Sequence, residues 1–400
     1  MKGVCNTIRA ALPISPQIRW YTSIGDVPQA QWDRLALPLA TPILEWRWIF
    51  ELEASGSIAP QTGWYPRHLT VWSGDRLVAA APLYLKTHSQ GEFVFDQWWA
   101  RWAREAGIAY YPKLVGMSPA TPAPGYRFLV DPTVDGHAMH EIMFAAIDGY
   151  CQELGLSGSH FLFVDPQWQP DAENMGWIAW HHQSFLWQNL GFRTFDDYLV
   201  RFKSSQRRNI RRERRQMARQ DIRIRAITGE GINGRWADLM HRYYLNTNAQ
   251  YGLWAARYVN GEFFKGLFQH YRHRLVLFAA DLSSTNDEPV ALSLLVHKQG
   301  RLLGRYWGCD RVIKDLHFNM CFYAPIQWAI ENNITAFDPG AGSQHKLYRG
   351  FEAVANTSLH RFYHPILKSL FQRFIHTIND AEYANIRELN KLVPFSTLAR

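Results

Sequence analysis

Cysteine is scarce in this 400-residue chain, and Cys5, Cys151, Cys309 and Cys321 form neither a C-x-x-C pair nor a zinc-spaced set with histidine. That excludes a disulfide framework and a zinc ribbon, and predicts reduced thiols in a cytoplasmic protein. Nowhere do about eighteen apolar residues run together, so no spanning helix is expected. The opening MKGVCNTIRAALPISP carries no apolar run of signal length, which argues against secretion. No H-E-x-x-H, G-x-S-x-G or P-loop occurs, so metalloprotease, serine hydrolase and NTPase readings have no residues to stand on. His181 and His182 are adjacent and point in different directions, and no metal is expected.

What is present is aromatic and basic. Seventeen tryptophans and an aromatic share of 14% mean either a large ring-filled core or a groove lined with rings. The 47% hydrophobic and 20% charged content is that of a globular protein, and the length suits two domains or three. A formal net charge of +8 permits nucleic acid, CoA-type phosphates or a membrane surface as partners.

One order of elements occurs twice. TPILEWRWIFELEASGS (41–57) has helical spacing after a Thr-Pro start, and HLTVWSGDRLVAAAPLYLK reads as two strands about a Ser-Gly-Asp turn. GEFVFDQWW reads as a further strand, YYPKLVG as another, HAMHEIMFAAIDGYCQELG as a helix ending at Gly155, and SHFLFVDP as a buried strand. In the second half, RWADLMHRYYLNTNAQ and EFFKGLFQHYRH are helical, and RLVLFAADLSSTNDEPVALSLLVHKQGRLLGRYWGCD gives three strands. DLHFNMCFYAPIQWAIENN is a helix bent or interrupted at Pro325, and ITAFDPG is the next strand. This predicts a duplicated unit with its seam at 176–192: a first domain over 18–175, a second over 185–365, and a helical tail over 366–400.

Residues 203–220 predict a helix on which seven arginines, Arg207, Arg208, Arg211, Arg212, Arg214, Arg215 and Arg219, fall within an arc of roughly 160°. Ile210 and Met217 lie opposite, and Glu213 is the sole acid. The face is either a solvated surface or a contact for a polyanion, since arginine suits phosphate. Arg207, Arg208, Arg211 and Arg212 are the candidates for the latter. GEGING (229–234) fits G-x-G-x-x-G, but helices follow where a dinucleotide fold needs a parallel strand, so a turn and helix start is the better account.

The strongest site signal is FDPGAGSQHKLYRGFEA (337–353). Glycines let a backbone approach a ligand, and His345, Lys346 and Arg349 follow at once. Asp338 either caps the glycine loop or accepts a proton, His345 has the intrinsic pKa of a general base, and His317 is a core, capping or site residue.

GRYWGCD, a helix, FDPGAG and then HKLYRGFEA resemble the later part of a GNAT acyltransferase fold. The close KLYRGFEA is similar to that of FemAB-like peptidoglycan transferases. The stretches LEASGS, GWYPRHL, PLYLKTHSQGEFVFD, YYPKL, RRNIRRERR, RYWGC, LHFNMCFY, FDPGAGSQHKLYRGF and SLHRF carry the resemblance from about residue 40 to 362. It implies an α/β (α+β) fold of two tandem GNAT-like domains, each a mixed, mostly antiparallel sheet flanked by helices. It also implies a transferase that moves an acyl group to an amine, with a peptidoglycan precursor or peptide as acceptor. TPAPGYRFLV and the Gly-Ser of FDPGAGSQHK depart from the family pattern, and CDRVIKDLH lacks the usual coenzyme A loop. Acyl-CoA and aminoacyl-tRNA thus both stand as donors, with tRNA or an anionic membrane as a partner of the basic helix.

On this reading Asp338 or His345 takes the proton, and main-chain amides near Tyr306 to Cys309 meet the oxyanion. Arg305, Tyr306, Trp307, His317, Lys346 and Arg349 hold substrate. The other reading is a GNAT scaffold that binds a peptidoglycan precursor or an RNA without catalysis.

Overall fold

The computed structural model describes residues 16–250, 252, 257–283, 288–342 and 344–396. Cys5, part of the STNDEP turn, Ser343 and the last four residues of the tail lie outside them. Among the described residues, fifteen strands form two sheets. The smaller has the order β1 (Gln17–Tyr21), β3 (His68–Ser73), β4 (Arg76–Ala81), β7 (Leu129–Val130).

The larger sheet has eleven strands. From one edge these are β10 (Ile222–Thr228), β11 (Leu275–Leu282), β12 (Ala291–Lys298), β13 (Arg301–Cys309) and β14 (Ala336–Asp338). They continue with β9 (Ile178–Gln188), β15 (Glu352–Phe362), β8 (Gly158–Phe161), β6 (Lys113–Gly116), β5 (Leu83–Lys86) and β2 (Trp64–Pro66). β11 and β12 are apolar nearly throughout because helices cover both faces there. Pro82, which has no N–H to give to a ladder, falls where the chain leaves β4 in one sheet and enters β5 in the other.

The two halves share one local arrangement. Each half contains one parallel pair joined across a helix: β6 with β8 across Gly136–Glu153, and β13 with β14 across residues 316–331. The stretch read as a seam is instead β9, an eleven-residue strand between β14 and β15. β15, which the sequence left without an assignment, pairs with both β9 and β8. The sheet therefore runs unbroken across the expected boundaries.

Two other expectations are corrected. GEFVFDQWW is not a strand: a loop leads into the helix Gln97–Glu105, which buries Trp99 and Ala103, four residues apart. The irregularity in the 316–331 helix comes before Pro325, as a π-helical turn over Asn319–Tyr323, and Pro325 sits in the first turn of the regular segment that follows.

Candidate active site

The site grows from the parallel pair in the second half. β13 and β14 are in register only from Arg301 and Ala336 to Leu303 and Asp338. β14 then turns away at Pro339, so β13 past Leu303 has no strand on that side. At the same point the β12–β13 register slips, with Leu294 opposite Tyr306 and Leu295 opposite Gly304. Arg305 is the extra residue of this bulge, a device that re-aims a side chain.

The gap opens into a cavity of ≈ 590 Å³. Its polar wall is Gly304, Arg305, Pro339–Gly342, His345 and Lys346, and its other side is built of Phe93, Tyr244, Tyr258, Leu295, Trp307 and Phe322. Two glycines make the neck. A Cβ on Gly304 would stand 3.2 Å from the Pro339 main chain, and one on Gly340, at φ +79°, would stand 2.8 Å from the Gly304 carbonyl oxygen.

Arg305 is the most telling side chain. Its Nε and Nη1 are buried and have no hydrogen-bond partner among the described residues, and burial pushes its pKa down against the pull of Tyr306 and Asp338. A buried guanidinium with free donors beside a cavity is a place for an anionic or strongly accepting group. The Tyr306 hydroxyl is likewise unpartnered.

Lys346 is buried behind the glycine loop, where its ammonium donates to the Gly340 carbonyl. Burial lowers its pKa to about 8 although Asp338 opposes the shift. His317 also borders the cavity, edge-on to Trp307 at 5.3 Å. Burial, with Arg349, Lys346 and His345 adding to it, lowers its pKa to about 4, so it is a neutral imidazole at pH 7. His345 is exposed at the mouth. Burial pushes the Cys321 thiol in the wall up to about 12, which keeps it from acting as a thiolate.

Two expected residues lie outside the cavity. Asp338 is buried beneath the loop, and its Oδ1 accepts from the Gly340 N–H at 2.7 Å. It caps the loop as one of the two sequence readings had it. Arg349 is turned inward: its Nη2 donates to both oxygens of Glu213 at 3.1 and 3.0 Å, and its Nη1 to the His345 carbonyl at 3.0 Å. It secures the loop against the arginine helix and is not free to hold a phosphate.

The arginine helix is Ser204–Arg219, with Ile210, Glu213 and Met217 buried. Arg208, Arg211 and Arg212 are exposed. Arg211 pairs with Asp196 at 3.1 Å, and Arg212 donates to Asn209. Arg207 donates to the Val200 and Phe202 carbonyls and so ties down the preceding turn.

Sequence reasoning missed Phe93, Tyr244, Tyr258 and Cys321 as wall residues. No local signal marks them, because the fold alone brings four distant segments together. The corresponding gap in the first half is filled. Tyr126 donates to the Pro82 carbonyl at 3.1 Å, and a Cβ on Gly116 would stand 2.2 Å from its hydroxyl.

Residues 23–397 match the family model of FemAB-like proteins, described by peptidoglycan biosynthesis/recognition. No curated protein matches the chain. The crystal structure of FemX is similar with a TM-score of 0.51 at 11% identity, over 86% of this chain and 98% of that one. For L-PGS from Bacillus licheniformis the values are 0.47, 9%, 92% and 98%. For a tandem GNAT protein from the clavulanic acid biosynthesis pathway they are 0.42, 13%, 88% and 99%. At these identities the likeness concerns the fold alone, which here is mixed α/β with one large mixed sheet. Since the family match spans nearly the whole described chain, this protein belongs to the FemAB-like family.

Proposed function

We propose that the cavity between β13 and β14 is the active site of an acyl- or aminoacyltransferase that transfers to an amine, with a peptidoglycan precursor or peptide as acceptor. The observation that carries this is the unpartnered Arg305 guanidinium at a bulge where two parallel strands part. Acyl transfer needs the donor carbonyl and the amine held in line, one proton removed, and the oxyanion met by fixed donors. The parted strands leave main chain of β13 open on one side for the oxyanion. Arg305 anchors a carboxylate or phosphate of a substrate. Lys346, a cation with its pKa near neutral, stabilises the developing negative charge, and neutral His317 accepts a hydrogen bond from the amine. His345 at the mouth is the base that takes the proton. Asp338 acts through the loop it caps, as a positioning residue.

The donor is acyl-CoA or an aminoacyl-tRNA. CoA would have to do without the usual glycine loop, while a tRNA would meet the exposed Arg208, Arg211 and Arg212. The two differ in salt dependence, which is steep for a polyanion held by several phosphates. The test is thermal unfolding with CoA, acetyl-CoA or aminoacyl-tRNA at two salt concentrations, followed by single-turnover transfer to an amine acceptor. Ligand at about a hundred times its Kd adds about 2.7 kcal/mol of stability. Transfer that vanishes in Arg305→Met supports the reading; unchanged transfer in that variant overturns it. Stabilisation by a precursor with no transfer from either donor favours the non-catalytic binder.

A further inference from the structure

The loop that walls the cavity at Phe93 runs straight out into an exposed aromatic ridge. Phe95 and Trp98 are 69% and 60% exposed, yet the fold holds them firmly. Between them Asp96 is buried, accepts from the Tyr110 hydroxyl at 2.8 Å and is ion-paired to Lys113. Behind them Trp99 and Ala103 pack with Leu367, Phe371 and Ile375 of the C-terminal helix (Pro365–Lys391). The ridge continues across that helix, where the Trp102 ring lies 5.9 Å from exposed Phe374.

Cations flank these rings. The Arg101 guanidinium lies 6.0 Å from the Trp98 ring and that of Arg373 lies 5.4 Å from the Phe374 ring. Over 97–105 and 365–376 the cations are Arg101, Arg104, Lys368 and Arg373. The sole acid there, Glu105, is paired with Arg101 at 2.8 Å. Phe95, Trp98, Arg101 and Phe374 line none of the four cavities with described residues, and the nearest of these, lined by Lys368 and Phe371, lies beside the ridge.

We propose that this ridge docks the protein on an anionic lipid bilayer. Tryptophan and phenylalanine gain by entering the headgroup region, and arginines beside them meet lipid phosphates there. A large apolar surface held rigidly in water also needs a partner, and its cationic rim selects an anionic one. Because Phe93 and Phe95 belong to one loop, docking sets the cavity wall next to the bilayer. The inference rests on the ridge alone and is independent of the chemistry assigned to the cavity.

The test is flotation of the full chain with phosphatidylcholine vesicles made with and without phosphatidylglycerol. The unaltered protein is expected to float with the phosphatidylglycerol vesicles. The double variant Phe95→Ser/Trp98→Ser should lose at least about tenfold in partitioning, since two rings forfeit their burial. Arg208→Gln/Arg212→Gln, which removes two positive charges elsewhere and leaves the rings in place, should keep most of it. Circular dichroism and the melting curve of the ridge variant check that its fold persists. Quenching of tryptophan fluorescence by brominated lipid, lost in Trp98→Ser alone, supplies a second measure. Failure of the unaltered chain to float overturns the proposal, as does equal flotation by the ridge variant. So does a loss confined to the arginine-helix variant, or self-association through the ridge in place of lipid binding.

Discussion

Arg349 gives the sharpest test of how the site is held. Its guanidinium and the Glu213 carboxylate are 4% and 5% exposed and 3.0 Å apart at their nearest. Glu213 also receives the Tyr323 hydroxyl and the Asn209 amide. Glu213→Leu leaves a buried guanidinium with no countercharge, which costs about 3–5 kcal/mol. Arg349→Met is expected at the lower end of that range, because the carboxylate keeps two donors. The double variant should cost less than the sum of the singles by about 1–3 kcal/mol, as a contacting pair does. Urea unfolding at pH 7, with a constant slope against denaturant, measures all three. Costs below about 1 kcal/mol for each single, or additivity within about 0.5 kcal/mol, would refute the account. If Arg349→Met kept full stability and lost only ligand binding, the arginine would be the substrate ligand that the sequence suggested.

Further expectations follow from the same geometry. Arg305→Met should change stability by less than about 1 kcal/mol, because it removes a buried cation without breaking a bond, while ligand stabilisation disappears in the same melting assay. Gly340→Ala combines a left-handed backbone with a contact to the Gly304 carbonyl; a loss of about 1–3 kcal/mol in urea unfolding is expected. Transfer measured against pH should fall as pH rises through about 8, where Lys346 gives up its proton, and Lys346→Arg should carry the fall to higher pH. His160 and His360, joined at 2.9 Å through their Nδ1 atoms, are both held well below the usual histidine range by burial. The unfolded chain thus binds more protons below about pH 6.5, so their contribution is present above that pH and lost as pH falls. His360→Asn should shallow the acid-side slope of the unfolding free energy from urea titrations by up to about 1.4 kcal/mol per pH unit.

Much of the architecture was legible because local patterns carried it. The strands at 275–309 are long apolar runs between turn residues, and the arginine helix announces its buried face through Ile210 and Met217, whereas the burial of Glu213 appeared only in the fold. The glycine loop at 339–342 and Lys346 were legible as cavity-bordering residues because glycine and a cation signal close backbone approach and charge. GEFVFDQWW misled because an aromatic-rich stretch suits a strand by propensity, whereas Trp99 and Ala103 obey the helical period. β9 and β15 were missed for another reason. Their mixed sequences, IAWHHQSFLWQ and EAVANTSLHRF, gain their order from pairing with each other over residues 178–186 and 352–360.

By itself, then, the sequence determined most of the order of elements, the basic helix and the glycine loop that borders the cavity, since each depends on residues close together in the chain. Only the tertiary structure decided which charges are available for chemistry. Arg305 and Arg349 are the same residue type at the two ends of one candidate list. One meets a distant carboxylate and becomes a brace; the other falls on a bulge at the mouth of a parted strand pair and keeps its donors free. The free energy of a buried charge is set by the partners that folding brings to it, and those partners come from segments a hundred residues or more away.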